Sequence, residues 1–207
     1  MNERYGIEGG QVSVSPLKTQ EDIRKALDYY RARRDHADSD ARRFQYDRNY
    51  MMIKLGINLA LRFSDLRRLT VKKVKTGIIK QRDQKTGKMT EAIIPAKIFQ
   101  ELQLYISRNN MKEDDYLFPS REGCGSPLTR DMGYKIMKQV QKGCNIPYNL
   151  GTHTMRKTYG FWFYRKYKDI ATLQKILNHS SPSITMIYIG LTQDEIDRKR
   201  RGFVLDY

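Results

Sequence analysis

Two short segments in the last third of the chain carry residue types that can act together on a phosphate group. In the first, His153 and Arg156 are three positions apart, so on a helix they lie on one face and can contact one ligand. Arginine is well shaped for bidentate contact with a phosphate, and histidine can donate a hydrogen bond or transfer a proton near neutral pH. If Thr152 caps this helix, both side chains lie at its N-terminal end, where free amides and the helix dipole favour an anion.

The second segment, residues 177–181 (LNHSS), is followed by Tyr188, nine positions after His179. A tyrosine hydroxyl is a poor nucleophile at its ordinary pKa, so it attacks a phosphodiester only with an activating partner or in a cationic site. The two histidines and Arg156 can supply these. We therefore interpret the last third of the chain as a candidate active site in which Tyr188 is the nucleophile.

Each of these residues also has a structural explanation. A histidine and an arginine at this spacing most often lie on a solvated helix face, and His179 could be a buried structural histidine. The chain has 14 tyrosines, and most of them are expected to pack against other side chains. Tyr159, Tyr164 and Tyr167 compete with Tyr188, although they lie in a predicted helix whose aromatic residues look like core. The two segments alone therefore do not assign the chemistry.

The charge balance favours a nucleic-acid partner. Lys and Arg number 39 against 23 Asp and Glu, which gives a net charge of +16, and the sequence pI is about 9.8. This excess is spread along the chain and is typical of a broad DNA-facing surface, although an anionic membrane surface or an acidic protein would also fit. The length of 207 residues predicts one large domain, or a domain with an arm.

The cysteines and the apolar runs bear on the compartment. Cys124 and Cys144 lack the spacing of zinc ligands, so we expect two free thiols, as in a reducing compartment, with a disulfide not implied. The N-terminus lacks the apolar core of a signal peptide, and no apolar run reaches the length of a membrane span. We expect a soluble cytoplasmic protein with no membrane partner.

The elements that must position these residues are mainly helices, with one small antiparallel sheet. Residues 1–15 are predicted to be a flexible arm. Two short strands are predicted within 71–82 and a third at 91–95, and the Lys85–Lys88 turn lies between them. A short helix capped by Ser64 is predicted to end near Leu69. Apolar periodicity and capping residues predict the remaining helices at 19–33, 41–59, 96–109, 129–142, 151–167, 170–177, 182–189 and 194–201.

With Arg62 and Lys85 included, the order of these residues resembles the catalytic domain of the tyrosine recombinases, the phage integrase family. Arg62 lies in ALRFSDL, similar to the family's GLRxSEL, and Lys85 lies in the QKTGK turn of a predicted hairpin. The segment HTMRK is similar to the family's HxLRH box and LNHSS to its LGHSS box, with Tyr188 at the family's usual distance. The resemblance covers residues 16–200 and implies the family's α+β catalytic-domain fold.

Four departures from the family pattern leave every catalytic group in place. Met155 replaces a leucine of similar volume, and Asn178 replaces a glycine, whose left-handed backbone an asparagine tolerates. Lys157 replaces the histidine that usually follows the second arginine, at a position that we place outside the catalytic set. Gly190 stands where a histidine often follows the tyrosine. The pattern therefore favours an active enzyme.

The resemblance implies a site-specific DNA recombinase, or integrase, that cleaves and rejoins strands through a covalent 3′-phosphotyrosyl intermediate. Tyr188 would attack the scissile phosphate and release a 5′-hydroxyl, while Arg62 and Arg156 hold the non-bridging oxygens and stabilise the transition state. Lys85 would be the general acid that protonates the leaving oxygen. Lys88, in the same hairpin, competes for that role and would otherwise contact DNA.

The remaining roles are also implied by the resemblance. His153 would act as general base or acid for the tyrosine, and His179 would donate a hydrogen bond to the phosphate. Asp65 would orient the cations of the site. No metal, cofactor or ATP is expected, because the family needs none and the bond energy is kept in the protein–DNA link.

The expected partners follow from the same resemblance. Double-stranded DNA is the substrate, and the protein is expected to form a homo-oligomer: a tetramer in a synaptic complex and a monomer or weak dimer without DNA. Residues 16–207 would be the catalytic domain with a C-terminal helix that docks on a neighbouring subunit. Arg198, Lys199 and Arg200 on that helix are either a solvated face or DNA contacts. A bacterial or phage-encoded, nucleoid-associated protein is expected.

Two rival functions and one question of extent remain open at this point. A catalytically silent DNA-binding regulator on the same fold would keep the basic surface without needing the six catalytic groups. An enzyme like the type IB topoisomerases would use the same chemistry to relax strands without exchanging them. No N-terminal core-binding domain is expected in this chain, which is then either a piece of a longer protein or a naturally short member.

Overall fold

The computed structural model of the chain describes residues 13–120, 125–190, 197 and 200–204. These residues form mostly helices with one two-stranded antiparallel sheet, which confirms the predicted fold class. The described elements are α1 (Gln20–Asp35), α2 (Asp40–Leu59), α3 (Phe63–Leu66), α4 (Val71–Val74), β1 (Ile78–Arg82), β2 (Met89–Ile93), α5 (Ala96–Arg108), α6 (Arg130–Gly143), α7 (Thr154–Tyr167), α8 (Ile170–Ile176) and α9 (Pro182–Ile189).

Helix α2 is the central element of the main core. It begins at Ser39, whose hydroxyl accepts from the Arg42 amide, and it packs against α1, α5 and α7. Met51, Ile53 and Leu55 are fully buried along it, because its sequence is apolar on more than one face. Since α7 carries His153 and Arg156 at its start, α2 fixes the position of that part of the site.

The short elements between α2 and α5 differ from the prediction. Only one strand, β1, forms within 71–82. The first part of this range forms the single-turn helix α4 instead, because Val71 and Val74 are three residues apart and bury one face of a helix. Strand β1 pairs with β2 in the register Ile79↔Ala92. The predicted cap at Ser64 is also wrong, since Arg62 has extended backbone and stands at the N-cap of α3.

A second apolar cluster holds the last three described helices together. Its buried members are Ala60, Leu173, Leu177 and Ile189, and aromatic residues of α7 pack around them. Helix α9 packs against α7 and α8, so the helix that carries Tyr188 is held against the helix that carries Arg156. Among the helices that the structure describes, none is both long and apolar enough to cross a membrane.

The segment before α1 lies along α7. The Leu17 amide donates to the Thr158 hydroxyl at 2.9 Å, and the Trp162 indole donates to the Leu17 carbonyl at 2.9 Å. The Ser15 amide donates to a backbone carbonyl at 2.8 Å. The predicted arm at 1–15 lies mostly outside the described residues, but its last residues, from Ser13, already contact the domain.

Candidate active site

Arg156 joins three elements at the centre of the candidate site. Helix α7 begins after His153, so Thr152 does not occupy the capping position that the sequence suggested. Arg156 is therefore in the first turn of α7, 4% exposed, and its guanidinium donates to the Ala60 carbonyl at 2.6 Å and to the Leu177 carbonyl. Burial lowers the pKa of Arg156 to about 10, so the group stays charged at neutral pH.

The Tyr188 hydroxyl lies beside this guanidinium. Its oxygen is buried and has no well-formed hydrogen bond within residues 13–120, 125–190, 197 and 200–204. Burial raises the pKa of Tyr188, while the nearby charges of Arg156 and Arg62 and a loosely aligned hydrogen bond from Arg156 lower it. A phosphate bound by the two arginines would therefore lie next to the nucleophile.

The ring of His179 also contacts Tyr188. The two rings meet edge to face with centroids 5.0 Å apart, and His179 Nδ1 lies 3.0 Å from the Thr185 hydroxyl. Burial, followed by the charges of Arg156 and Arg62, lowers the pKa of His179 to about 4. The ring is therefore neutral at pH 7. If Thr185 donates to Nδ1, the ring proton is on Nε2 and can be donated to a phosphate oxygen.

Asn178 links this loop to the β-hairpin. Its backbone is left-handed, with φ of 50°, which agrees with the expectation that asparagine can replace the family's glycine here. Its side chain donates to the Thr90 hydroxyl at 3.0 Å and to the Met89 carbonyl at 3.2 Å. The loop that carries His179 is thus tied to the strand that follows the Lys85 turn.

Arg62 is paired with a carboxylate that the sequence analysis did not single out. Its guanidinium forms an ion pair with Asp83, whose side chain is 2% exposed. Asp65, which was expected to orient the cations, instead accepts a hydrogen bond from the Gln84 amide at 3.1 Å. Its charge still acts on Arg156, by raising the pKa of that group against the effect of burial. Asp83 could have been found as the aspartate two residues before the hairpin lysine.

His153 lies where the cations of the site converge. Its ring reaches solvent, but the surrounding atoms partly desolvate it, and this effect is the first cause of its lowered pKa. The charges of Arg156, Lys157, Arg130 and Lys85 lower the pKa further. The structure thus brings the six predicted residues to one place: Arg62, Lys85, His153, Arg156, His179 and Tyr188.

Two of the four expected DNA contacts, Lys88 and Arg200, lie within the described residues. Lys88 is exposed at the end of the hairpin turn. Arg198 and Lys199 lie outside the described residues, as does most of the predicted helix at 194–201. Arg200 is exposed and lies 3.4 Å from Asp197. Cys144 is a free thiol, and Cys124 lies outside the described residues.

Residues 19–195 match the model of the phage integrase family. The chain belongs to this family. It is 43% identical over 148 residues to the probable integrase/recombinase YoeC of Bacillus subtilis, covering 71% of this chain and 80% of the relative. It is 26% identical over 202 residues to the tyrosine recombinase XerH of Campylobacter jejuni, covering 92% of this chain but 53% of that relative.

Solved structures of phage integrase family members have the same fold. A XerA recombinase matches with a TM-score of 0.70 at 19% identity, over 95% of this chain and 68% of that one. XerH bound to its difH substrate in a post-cleavage complex matches with a TM-score of 0.70 at 19% identity, over 94% of this chain and 55% of that one. The catalytic domain of bacteriophage HP1 integrase matches with a TM-score of 0.56 at 18% identity, over 91% of this chain and 95% of that one.

Lys157 stands where phage integrases usually have a histidine, and the sequence analysis placed it outside the catalytic set. Its ammonium lies 5.5 Å from the centroid of the Tyr188 ring and donates to the Val14 carbonyl at 2.9 Å. Burial lowers the pKa of Lys157. This residue therefore connects the segment before α1 to the candidate nucleophile.

Within the parts of the chain that the structure describes, no group of three or more His, Cys, Asp or Glu side chains is arranged to hold a metal ion. The independence from metals and cofactors that the family resemblance implies stays a prediction.

The lowered pKa of His179 predicts a loss of stability in acid. The folded pKa of about 4 lies below the ordinary value of 6.5, so this group contributes its full stability above pH 6.5. That contribution falls as the pH drops from 6.5 to about 4, because the unfolded histidine takes up a proton that the folded one does not. We expect a loss of about 1–2 kcal/mol, since solvent screens a partly exposed ring.

Urea unfolding of the wild type and His179→Gln at pH 7 and pH 5 measures this effect. The free energy of unfolding should fall less in the variant than in the wild type between these two values. His36→Gln, which changes an exposed histidine after α1, is the matched control. An equal fall in all three proteins would contradict the prediction.

Proposed function

We propose that this chain is a site-specific DNA recombinase that breaks and rejoins strands through a 3′-phosphotyrosyl intermediate. The observation that carries the proposal is the placement of the Tyr188 hydroxyl. This oxygen is buried without a well-formed hydrogen bond among the described residues, and the charges of Arg62 and Arg156 act on it. A packing tyrosine normally satisfies its hydroxyl, whereas a nucleophile that waits for a phosphate does not need to.

In the proposed reaction, the Tyr188 oxygen attacks the scissile phosphorus and the bond to the 5′-oxygen breaks. Arg62 and Arg156 hold the non-bridging oxygens, whose negative charge increases in the transition state. Preorganised charge of this kind is usually the largest single contribution to catalysis. The 5′-hydroxyl of a second strand then attacks the phosphotyrosyl bond and rejoins the DNA, so the bond energy is conserved and ATP is not needed.

Three further side chains complete the proposed mechanism. Lys85 protonates the leaving 5′-oxygen, and His153 accepts the tyrosine proton. His179 donates a hydrogen bond to the phosphate, which its neutral ring can do at pH 7. Asp65 supports this arrangement through the Gln84 amide. Lys88 remains the competing acid in the same turn.

Double-stranded DNA is the proposed partner. The net charge of +16 supports it, and relatives of similar fold were solved on DNA: XerH on difH, and the Tn1549 transposon integrase on circular intermediate DNA. We propose a homotetramer in the synaptic complex and a monomer or weak dimer without DNA. Contacts from Arg198, Lys199 and Arg200, and a cytoplasmic, nucleoid-associated location, belong to the same proposal.

A covalent-capture experiment tests the proposed chemistry. The chain is mixed with a pool of nicked duplexes whose flanks have random sequence, denatured, and separated on a gel. Cleavage beside the nick releases a short strand, so the covalent intermediate cannot be rejoined. This trapped intermediate should appear as a shifted protein–DNA band. DNA binding on captured or genomic fragments without such a band would favour the DNA-binding regulator. Relaxation of supercoiled plasmid without recombined products would favour the topoisomerase-like activity.

A deletion of residues 192–207 tests the proposed role of the C-terminal segment. We expect the truncated protein to stay folded and to form fewer multimers on DNA, because this segment would dock on a neighbouring subunit. Sedimentation with the captured DNA measures assembly, and circular dichroism checks the fold. Normal synapsis by the truncated protein would show that the idea is wrong.

A further inference from the structure

The carboxylate of Asp83 contacts two parts of the candidate site that belong to different elements. One oxygen pairs with the Arg62 guanidinium, and Oδ1 accepts hydrogen bonds from the Lys85 and Thr86 amides, each at 2.9 Å. Because the Asp83 side chain is almost fully buried, its charge depends on these partners for stabilisation. The sequence marks the residue only as part of a turn, and the proposed mechanism gives it no role.

We propose that Asp83 is a positioning residue that acts through Lys85, by fixing the hairpin turn so that the Lys85 ammonium reaches the leaving 5′-oxygen. This inference rests on the proposed recombinase function. In the step concerned, the bond from Tyr188 to phosphorus forms, the bond to the 5′-oxygen breaks, and that oxygen takes a proton from Lys85. The tyrosine proton passes to His153.

The rest of the turn agrees with this role. The Gly87 amide donates to the Asp83 carbonyl at 2.8 Å, and the Asp83 amide donates to the Lys88 carbonyl at 2.9 Å. Asp65 holds the Gln84 amide, so two buried carboxylates bind three consecutive amides of the turn. The backbone that carries Lys85 is therefore fixed relative to α3, although the lysine side chain itself is exposed. A fixed attachment point lowers the entropic cost of placing a flexible proton donor.

Two substitutions at Asp83 separate its role as acceptor for the turn amides from the effect of its negative charge on Arg62. Asp83→Ala removes the acceptor for both amides, whereas Asp83→Asn keeps an oxygen that can accept from them and loses the negative charge beside Arg62. Lys85→Ala is the reference for loss of the acid. Glu91→Ala is the matched control, because Glu91 is an exposed carboxylate on the same hairpin, 3.4 Å from Lys80.

The measurement compares cleavage of two DNAs by each protein. One DNA has the ordinary phosphodiester, and the other has sulfur at the 5′-bridging position. A thiolate leaves without a general acid because its conjugate thiol has a much lower pKa than an alcohol. We expect Asp83→Ala and Lys85→Ala to cleave ordinary DNA about 100-fold more slowly than wild type, and the sulfur DNA within about tenfold of it.

The ratio of the cleavage rates on ordinary DNA and on the sulfur DNA shows whether Asp83 acts through Lys85. Asp83→Asn and Glu91→Ala should keep the wild-type ratio, whatever their absolute rates. If Asp83→Ala is as fast as wild type on ordinary DNA, or equally slow on both DNAs, Asp83 does not act through Lys85. Failure of the wild type to form an adduct with either DNA would instead overturn the proposed recombinase function.

Amide hydrogen exchange keeps the inference testable if Asp83→Ala does not fold. In the wild-type protein, the Lys85 and Thr86 amides should exchange at least about tenfold more slowly than in an unstructured peptide, because a buried carboxylate binds them. Exchange at the unstructured rate would show that Asp83 does not fix this turn.

Discussion

Tyr188→Phe is expected to abolish the covalent protein–DNA complex while the protein keeps its fold and its affinity for DNA. The substitution removes the oxygen that would form the phosphotyrosyl bond and leaves the ring against His179 and beneath Lys157. The hydroxyl is buried without a well-formed hydrogen bond among the described residues, and the Arg156 guanidinium beside it keeps its bonds to the Ala60 and Leu177 carbonyls when the hydroxyl is removed. We expect the melting temperature to stay within about 2–4 °C of wild type or to rise.

The competing tyrosines supply the controls for this experiment. Tyr159 and Tyr164 are partly buried against the second apolar cluster, as expected of core residues. Tyr167 was expected to be core as well, but it is 57% exposed. Phenylalanine at each of these three positions should leave the adduct intact. An adduct that persists in Tyr188→Phe and disappears in one of the controls would move the nucleophile to that residue.

The parts of the fold that the sequence predicts well depend on interactions between residues that are close together along the chain. Two helices begin close to the predicted starts at 19 and 129, because the hydroxyl of Thr19 accepts from the Asp22 amide at 3.0 Å and that of Thr129 accepts from the Met132 amide at 3.1 Å. The spacing of His153 and Arg156 likewise predicted one shared helix face, and both lie at the N-terminal end of α7, although His153 and not Thr152 stands at the N-cap. Interactions between residues three or four positions apart are set by helix geometry alone, and a sequence shows them directly.

Contacts between distant residues were the ones that the sequence did not reveal. The pairing of Arg62 with Asp83 joins α3 to the hairpin turn, and Arg156 binds carbonyls at the ends of α2 and α8. An aspartate in a lysine-rich turn looks like an ordinary turn residue, because its burial depends on what packs above it. The resemblance to a family gave the catalytic residues but no reason to examine Asp83, which lies outside its motifs. Lys157 lies within the HTMRK box, but the resemblance placed it outside the catalytic set.

Arg156→Lys is expected to reduce the rate of adduct formation by about 100- to 1,000-fold, the usual effect of losing one donor to a transition-state oxygen. A lysine keeps the charge but cannot donate to the Ala60 and Leu177 carbonyls and to a phosphate with one planar group. The same change should lower the free energy of unfolding by about 1–3 kcal/mol, because a buried carbonyl loses its donor. Arg165→Lys, an exposed position on the same helix, should change neither quantity.

The two effects of Arg156→Lys must be separated for the rate to report on chemistry. Adduct formation is therefore measured at a temperature at which circular dichroism shows both variants to be folded, with saturating captured DNA. A slow rate in folded, DNA-bound Arg156→Lys then reflects the lost guanidinium contact with the phosphate. If that variant is destabilised but forms the adduct at the wild-type rate, Arg156 only holds α2, α7 and α8 together, and Arg62 becomes the main phosphate ligand.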